Sequence, residues 1–148
     1  MKTIFDQTTR DEIINRINTL NENSSVQWGK MNVCQMVKHC TLWEQMIQGD
    51  KIYKQAFIGL LFGKMALKTV LKDESPLKRN TPTIGEFVIK ESTCNLSLEK
   101  SNWITSIKEY SNFHKPTFLH PFFGKMTREQ VGYLVYKHVD HHLRQCNA

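Results

Sequence analysis

Histidine spacing is the feature of this sequence best suited to chemistry. Two of the six histidines, His138 and His142, lie four residues apart near the end of the chain. On a helix this spacing places two imidazoles about 40° apart around the axis and about 6 Å apart along it, so both can reach one ion. On a second helical segment, His39 projects into an apolar arc between Trp43 and Met46. The pattern indicates His39, His138 and His142 as ligands of one divalent metal ion.

Three protein ligands leave positions on the metal open for water or substrate, which is typical of reactive sites and not of closed structural ones. Neutral imidazole is a common ligand of zinc, nickel and iron. A different interpretation stays open at this point. A single inward histidine is often a hydrogen-bonded core residue, and two histidines four residues apart also arise on helices by chance.

Three further side chains are weaker candidates. His120 precedes a proline before the last helix, and is either an acid/base group at a pocket mouth or a residue that anchors a loop. His141 is either a pocket residue that replaces a ligand or a surface residue. Cys146 continues the His138 and His142 face by four more residues and is a candidate soft ligand.

Helix-start signals place the main candidates on regular elements. Asn32 with Gln35, and Thr127 with Gln130, have the spacing of capping boxes at helix starts. Thr9 with Glu12 resembles a third such box. The predicted helices are Arg10 to Leu20, Val33 to Gln48, Tyr53 to Lys72, Ser97 to Phe113 and Thr127 to Gln145.

Two proline-containing segments, residues 73–89 and 114–126, are predicted to be an extended connection and a long ordered loop. Two-residue alternation is absent except for a weak trace around residues 86–90. The chain of 148 residues suits one domain and shows no linker. We therefore predict a single all-α domain over residues 1–148, with four or five helices in a bundle.

Composition and charge favour a soluble globular protein. Hydrophobic residues make up 40% and charged residues 23% of the chain. The net charge of +6 favours anionic binding partners, but the basic residues are scattered along the chain. Lys64, Lys68 and Lys72 form a stripe at helical spacing, which we interpret as a solvated face. We expect neither a nucleic-acid nor a membrane partner.

The cellular compartment is predicted to be the cytoplasm. The first six residues contain no apolar signal core, and lysines interrupt the longest apolar stretch, residues 56–71. In a reducing compartment cysteines stay free thiols, and no Cys-x-x-Cys pair occurs. The four cysteines expected to be free are Cys34, Cys40, Cys94 and Cys146.

Five motifs along the chain resemble the DinB/YfiT-like metalloenzyme superfamily. Trp28-Gly29-Lys30-Met31-Asn32 and Gln35-Met36-Val37-Lys38-His39 resemble its opening. His120-Pro121-Phe122-Phe123-Gly124-Lys125-Met126-Thr127 and the run from Tyr136 to Gln145 resemble its C-terminal part, and Arg79-Asn80-Thr81-Pro82-Thr83 its middle. The resemblance covers nearly the whole chain and is strongest to a branch of uncharacterised function.

The resemblance implies a four-helix bundle of up-down-down-up arrangement that is often a homodimer. It also implies a divalent metal, commonly nickel or zinc, on three histidines, which match His39, His138 and His142. Relatives include thiol S-transferases that use low-molecular-weight thiols, and thiol-dependent isomerases. Their chemistry does not carry over by motif, because they differ around the pocket.

Two functions from different classes follow. The first is a metal-dependent hydrolase or thiol S-transferase that acts on a small molecule, with a low-molecular-weight thiol as a candidate cosubstrate. The second is a non-catalytic bundle that binds metal or ligand and acts as a dimer.

Overall fold

The structure is a computed structural model that describes all residues from 1 to 148. It contains five α-helices and one β-hairpin, and no helix in it has the length and apolar character needed to cross a bilayer. The elements are α1 (Gln7–Thr19), α2 (Val33–Gln48), α3 (Phe57–Val70), α4 (Leu96–Glu109), β1 (Thr117–His120), β2 (Gly124–Thr127) and α5 (Arg128–Gln145), with short 3-10 turns at Gly85–Phe87 and Tyr110–Asn112.

Four of the helices enclose the core. α2 packs most extensively against α4 and also contacts α5, while α1 contacts both α4 and α5. Burial of their facing apolar side chains is the main stabilising term of such a fold. α3 lies outside this group and contacts strand β2. The central members of the core are fully buried large side chains: Ile13, Ile17, Met36, Ile47, Trp103, Ile107, Tyr110 and Leu143.

Local sequence signals fix both ends of α2 and the start of α5. The Asn32 side chain accepts a hydrogen bond from the Gln35 amide at 2.9 Å, and the Gln35 side chain accepts one from the Asn32 amide at 3.1 Å. Thr127 and Gln130 make the same reciprocal pair at the start of α5. Two predicted capping boxes are thereby confirmed, and these are the helices that carry the three candidate ligands.

Other predicted helix boundaries were displaced. α1 begins at Gln7, so Thr9 lies inside the helix and does not cap it. The cap of α4 is Asn95, whose side chain accepts a hydrogen bond from the Leu98 amide at 3.1 Å, and not Ser97. α3 is shorter than predicted.

The prediction of an all-α fold was wrong in one respect. The segment predicted as a loop before α5 contains an antiparallel hairpin, with Thr117 opposite Thr127 and His120 opposite Gly124. Each strand has only four residues, so its alternation is too short to stand out from a loop in the sequence. The protein is mostly helical with a small two-stranded sheet, and this sheet holds His120.

The side of α2 that carries the polar residues Thr41 and Glu44 is covered by α4. Thr41 and Glu44 are buried, and Glu44 accepts a hydrogen bond from the Tyr110 hydroxyl. Burial raises the pKa of the Glu44 carboxyl to about 8. Projection of α2 alone could not reveal this, because the position of α4 depends on the whole fold.

The cysteine prediction was wrong for one pair. Cys34 in the first turn of α2 and Cys94 before α4 form a disulfide, with their Cα atoms 6.0 Å apart. Cys40 and Cys146 are free and buried. The bond links the start of α2 to the start of α4 across 60 residues of sequence.

Loss of this disulfide is expected to destabilise the protein. Replacing Cys34 with alanine should lower the free energy of unfolding by about 2 to 4 kcal/mol, because the open chain of the denatured state gains entropy. Chemical denaturation with and without reductant measures this, with buried Cys40→Ala as the matched control for cavity effects. An unchanged midpoint under reductant would show that the bond does not form.

Trapping of thiols in intact cells tests the predicted compartment, because a Cys34–Cys94 pair in the cytoplasm should be reduced.

Candidate metal centre

The three predicted ligands meet between α2 and α5. The ring centroid of His39 lies 5.5 Å from that of His138 and 4.8 Å from that of His142, and the last two rings are 4.6 Å apart. One nitrogen from each ring lies within 4.8 Å of the others. Two helices with independent caps therefore direct three imidazoles at one point, as the helical spacing predicted.

The protonation of His39 is set by a backbone carbonyl. Its Nδ1 lies 2.9 Å from the carbonyl oxygen of Phe87, in the short 3-10 turn that contacts α2. A carbonyl oxygen can only accept, so Nδ1 carries the proton and Nε2 keeps a free lone pair. This is the arrangement that orients a metal-binding histidine from outside the coordination shell.

The protonation of His142 follows from a chain of hydrogen bonds. Gln145 donates from Nε2 to the Trp28 carbonyl oxygen at 2.8 Å, which leaves its Oε1 to accept. The partner of that Oε1 is His142 Nδ1 at 2.8 Å, which must therefore be the donor. Gly29 permits this contact, because its φ is +82° and an added Cβ would lie 2.7 Å from Gln145 Nε2. His142 thus also keeps Nε2 free.

His138 is held by stacking on an aromatic ring, and one of its ring nitrogens lacks a hydrogen-bond partner. Its ring lies 4.0 Å from the ring of Trp43 at an angle of 15°, which fixes the ring plane. Its Nδ1 is buried and has no hydrogen-bond partner in the protein. A buried polar atom without a partner costs free energy, so this nitrogen is the clearest sign that the site accommodates a ligand.

The three imidazoles are neutral at physiological pH. Burial lowers the pKa of His39, and it lowers that of His138 well below the ordinary value, with the neighbouring histidines adding to the effect. Burial and the proximity of His39 lower the pKa of His142 to about 3. Metal binding requires unprotonated imidazole, so protons do not compete for this site near pH 7.

The donor set fits a borderline divalent cation such as zinc or nickel. Zinc binds imidazole nitrogen at about 2.0 to 2.1 Å, which places tetrahedral ligands about 3.4 Å apart, so the nitrogens, now within 4.8 Å of one another, would draw closer on a bound ion. No cysteine or carboxylate belongs to the cluster. A bound ion would coordinate one nitrogen of each ring. One of these rings is that of His138, whose Nδ1 has no hydrogen-bond partner in the protein.

His120 lies beside this cluster and not in it. Its ring centroid is 6.3 Å from that of Trp43, which also stacks on His138, and His120 is close enough to lower the pKa of His138. Its Nδ1 accepts hydrogen bonds from the backbone amides of Phe122 and Phe123 at 3.1 and 3.2 Å. The proton therefore sits on Nε2, which is buried without a partner.

Burial lowers the pKa of His120 to about 4. With Nδ1 occupied by two donors, this side chain is a neutral hydrogen-bond donor near pH 7 and has no free lone pair to act as a base. Of the two interpretations from sequence, anchoring of the loop agrees with the two hydrogen bonds that Nδ1 accepts, whereas these contacts leave no lone pair for an acid/base role. His120 anchors the hairpin turn through Nδ1, and it offers an N–H group through Nε2.

The other two candidates lie outside the cluster. His141 is 9% exposed and not a surface residue, and its ring lies 5.4 Å from Trp28 and 5.1 Å from His142. Burial lowers its pKa. Cys146 is buried, and burial raises the pKa of its thiol to about 11, which disfavours the thiolate that a metal would need.

Several residues that organise the site were not identified from sequence. Gln145 could have been found, because it lies three residues after His142 on the same helix face. The Phe87 carbonyl and the Trp28 carbonyl gave no signal, since any residue supplies a carbonyl and only the fold brings these two to the site.

The geometry defines a mostly helical protein with a group of three histidines suited to a divalent metal. The chain belongs to the family described as protein of unknown function (DUF1569), which matches residues 2–148. No curated protein and no solved structure matches the sequence.

Proposed function

We propose that this chain is a divalent-metal-dependent DinB-like protein that acts on a small molecule as a hydrolase or a thiol S-transferase. The observation that carries the proposal is the convergence of His39, His138 and His142, each neutral and two of them held in the ligating tautomer. Nickel and zinc are the proposed metals. A four-helix bundle of up-down-down-up arrangement and homodimeric assembly are proposed with the superfamily resemblance. The cytoplasmic location expected from the sequence is also kept as a proposal, and it requires the Cys34–Cys94 pair to be reduced in the cell.

A metal on three histidines supplies Lewis-acid chemistry, because it lowers the pKa of a bound water or thiol at its open positions. With water as the nucleophile the protein would be a hydrolase, and with a low-molecular-weight thiol as cosubstrate it would be an S-transferase. The protein itself fixes the three rings through the Phe87 carbonyl, Gln145 and the Trp43 stack.

In this proposal His120 binds the substrate. Its Nε2–H is buried, unpartnered and next to the Trp43 ring, so it is available to donate to an oxygen of a ligand held near the metal. A preorganised donor of this kind stabilises negative charge that develops on an acyl or similar oxygen.

The test is turnover by metal-loaded protein on a panel of esters, amides and electrophiles, with and without a small thiol. His120→Phe is expected to lower turnover about 100-fold with unchanged metal content, because it removes the donor near the developing charge. His120→Gln restores both an acceptor and a donor, and should recover part of the rate. His114→Ala replaces an exposed histidine of the neighbouring loop and should have no effect. Wild-type rates in His120→Phe would remove His120 from the proposal.

The alternative is a non-catalytic bundle that binds a metal or a ligand. It is favoured by the shortage of acid/base groups: no carboxylate joins the histidine cluster, and His120 Nδ1 is occupied. A large rise in melting temperature on metal addition, without turnover of any panel member, would support this function.

A further inference from the structure

α3 and the segment just before it expose many apolar side chains. Six side chains of the helix are between 50% and 75% exposed, and Ile52, which precedes the helix, is 94% exposed. We call these seven side chains the α3 surface. Monomeric proteins rarely keep contiguous apolar patches larger than about 300 to 600 Å² in contact with water. The helical members of the α3 surface are Phe57, Ile58, Leu60, Leu61, Phe62 and Met65.

Two glycines hold the opposite side of α3 against the hairpin turn. A Cβ at Gly59 would lie 2.4 Å from the Phe122 carbonyl oxygen, and one at Gly63 would lie 2.1 Å from it. The Ala56 amide also donates to the Pro121 carbonyl oxygen at 2.9 Å. Because only a glycine-lined face fits this closely against a backbone, the rotation of α3 about its axis is fixed and its large side chains stay outward.

The α3 surface wraps far around the helix. At 100° per residue, the directions from Leu60 through Phe57 to Phe62 span about 200° of the circumference. A protein groove that binds a helix covers a narrower stripe, formed by residues three and four positions apart. The fluid boundary between headgroups and acyl chains can instead contact the helix from every exposed direction, so a bilayer buries the whole α3 surface at once.

Lysines flank the apolar side chains, and no carboxylate compensates them. Residues 51–72 contain five lysines and no acidic residue, and residues 55–63 carry no charge at all. This pattern complements a bilayer with anionic headgroups, since such a surface attracts basic residues beside an inserted apolar segment. The exposed lysines nearest to the uncharged stretch are Lys51 and Lys54 before it and Lys64 and Lys68 after it.

The order of residues along α3 determines how the helix would meet a bilayer. Phe57 and Leu61 lie in the first two turns, and Lys64 and Lys68 continue the same line toward the C-terminal end. A helix that lay flat would press both ammonium groups toward hydrocarbon. When the N-terminal half tilts inward, the two lysines stay at headgroup level and only their apolar stems lie along the acyl boundary.

We propose that α3 anchors this protein on the surface of an anionic phospholipid bilayer, with its first two turns inserted at the headgroup boundary. The flanking lysines bind the anionic groups of the lipid. The sequence alone led us to interpret Lys64 and Lys68 as part of a solvated face and to expect no membrane partner. The structure changes this interpretation, because it exposes large apolar side chains beside these lysines. The three histidines lie on other helices, so the anchor and the metal centre are tested separately.

Cosedimentation with lipid vesicles tests the anchor. The wild type should bind vesicles of phosphatidylcholine and phosphatidylserine at about 7 to 3, bind pure phosphatidylcholine much more weakly, and lose affinity as salt is added. Leu61→Asp places a carboxylate in the inserted turns and should weaken binding at least about 10-fold, with unchanged helicity and metal content. The matched control is Leu98→Asp, because Leu98 of α4 is 56% exposed and Leu61 is 63% exposed.

A double variant, Lys64→Gln with Lys68→Gln, tests the role of charge. A lysine near an anionic surface strengthens binding about fivefold, so the pair should weaken binding to the mixed vesicles about 25-fold and to pure phosphatidylcholine much less. The control is Lys90→Gln with Lys108→Gln, which removes the same charge from exposed positions elsewhere. Equal losses in the two double variants would contradict a specific basic flank on α3.

A depth probe covers the case in which Leu61→Asp fails to fold. Leu61→Cys labelled with an environment-sensitive fluorophore should shift to the blue on the mixed vesicles, whereas labelled Leu98→Cys should not. The native free cysteines, Cys40 and Cys146, are buried and leave the label at the chosen position. Wild-type protein that does not sediment with the mixed vesicles would overturn the proposal. So would a blue shift at position 61 that depends on protein concentration and not on lipid, because it would assign the α3 surface to a protein partner.

Discussion

His138→Ala is expected to reduce the metal content of the loaded protein from about one ion per chain to near zero. The substitution leaves two imidazoles, and loss of an outer-shell partner alone costs 10 to 100-fold in metal affinity, so loss of a ligand should cost at least about 1,000-fold. Elemental analysis after loading with nickel or zinc and dialysis measures the content, and titration against a chromogenic chelator measures the affinity.

The matched controls for this result come from the same structure. His114→Ala removes an exposed histidine and should retain full metal content. Gln145→Leu removes only the partner of His142 Nδ1 and should lower affinity by about 10 to 100-fold without abolishing binding. Full metal content in His138→Ala would contradict a centre that depends on three histidines.

The metal-free protein is expected to lose about 4 kcal/mol of folding stability between pH 7 and pH 5. Five histidines, four of them buried and His138 half-buried, have lowered pKa values, including His142 at about 3 and His120 at about 4. Well above pH 6.5, the ordinary pKa of histidine, they are neutral in both states and their contribution is fully present. As the pH falls toward the folded-state pKa values, only the unfolded chain takes up protons, so stability is lost.

One group opposes this trend. Burial raises the pKa of Glu44 to about 8, so over the same range the folded state holds a proton that the unfolded state lacks. The contribution of Glu44 to folding stability grows by about 2.5 kcal/mol as the pH falls from 7 to 5. The loss from the five histidines together is larger, so the net stability falls. Urea denaturation of chelator-treated protein at stepped pH measures the sum. The Glu44→Gln variant should show a steeper loss, and stability that is constant or rises toward pH 5 would contradict the buried neutral histidines.

The parts of the fold that the sequence predicted are those determined locally. Capping boxes at Asn32 and Thr127 set the starts of α2 and α5, and the 3.6-residue period then decided which way His39, His138 and His142 point. Because these helices pack against each other, two local predictions combined into one correct juxtaposition.

The parts that sequence reasoning missed depend on chain segments distant in sequence. Lys137 and Asp140 are charged residues of α5, a type that usually faces solvent, yet both are buried. Lys137 donates to the carbonyl oxygens of Val70 and Asp73, and Asp140 pairs with Arg16 at 2.8 Å. The connection after α3 and helix α1 cover that side, and no helical projection reveals such a cover.

The hairpin and the disulfide were missed for the same reason. Strands of four residues gain their stability from pairing, as Phe118 does opposite Met126, and not from their own residue pattern. Cys34 and Cys94 have no informative spacing, and their contact requires the starts of α2 and α4 to lie together. The position of His120 beside the histidine cluster depends on the same distant contacts, because the hairpin carries this residue.

The central claim is that three imidazoles bind one ion, and anomalous diffraction tests it most directly. Crystals of nickel- or zinc-loaded protein, with data collected at the absorption edge of the metal, should show one strong peak per chain. That peak should lie about 2.0 to 2.2 Å from a nitrogen of each of His39, His138 and His142. A map with no peak between α2 and α5, or with the metal bound elsewhere, would contradict the account.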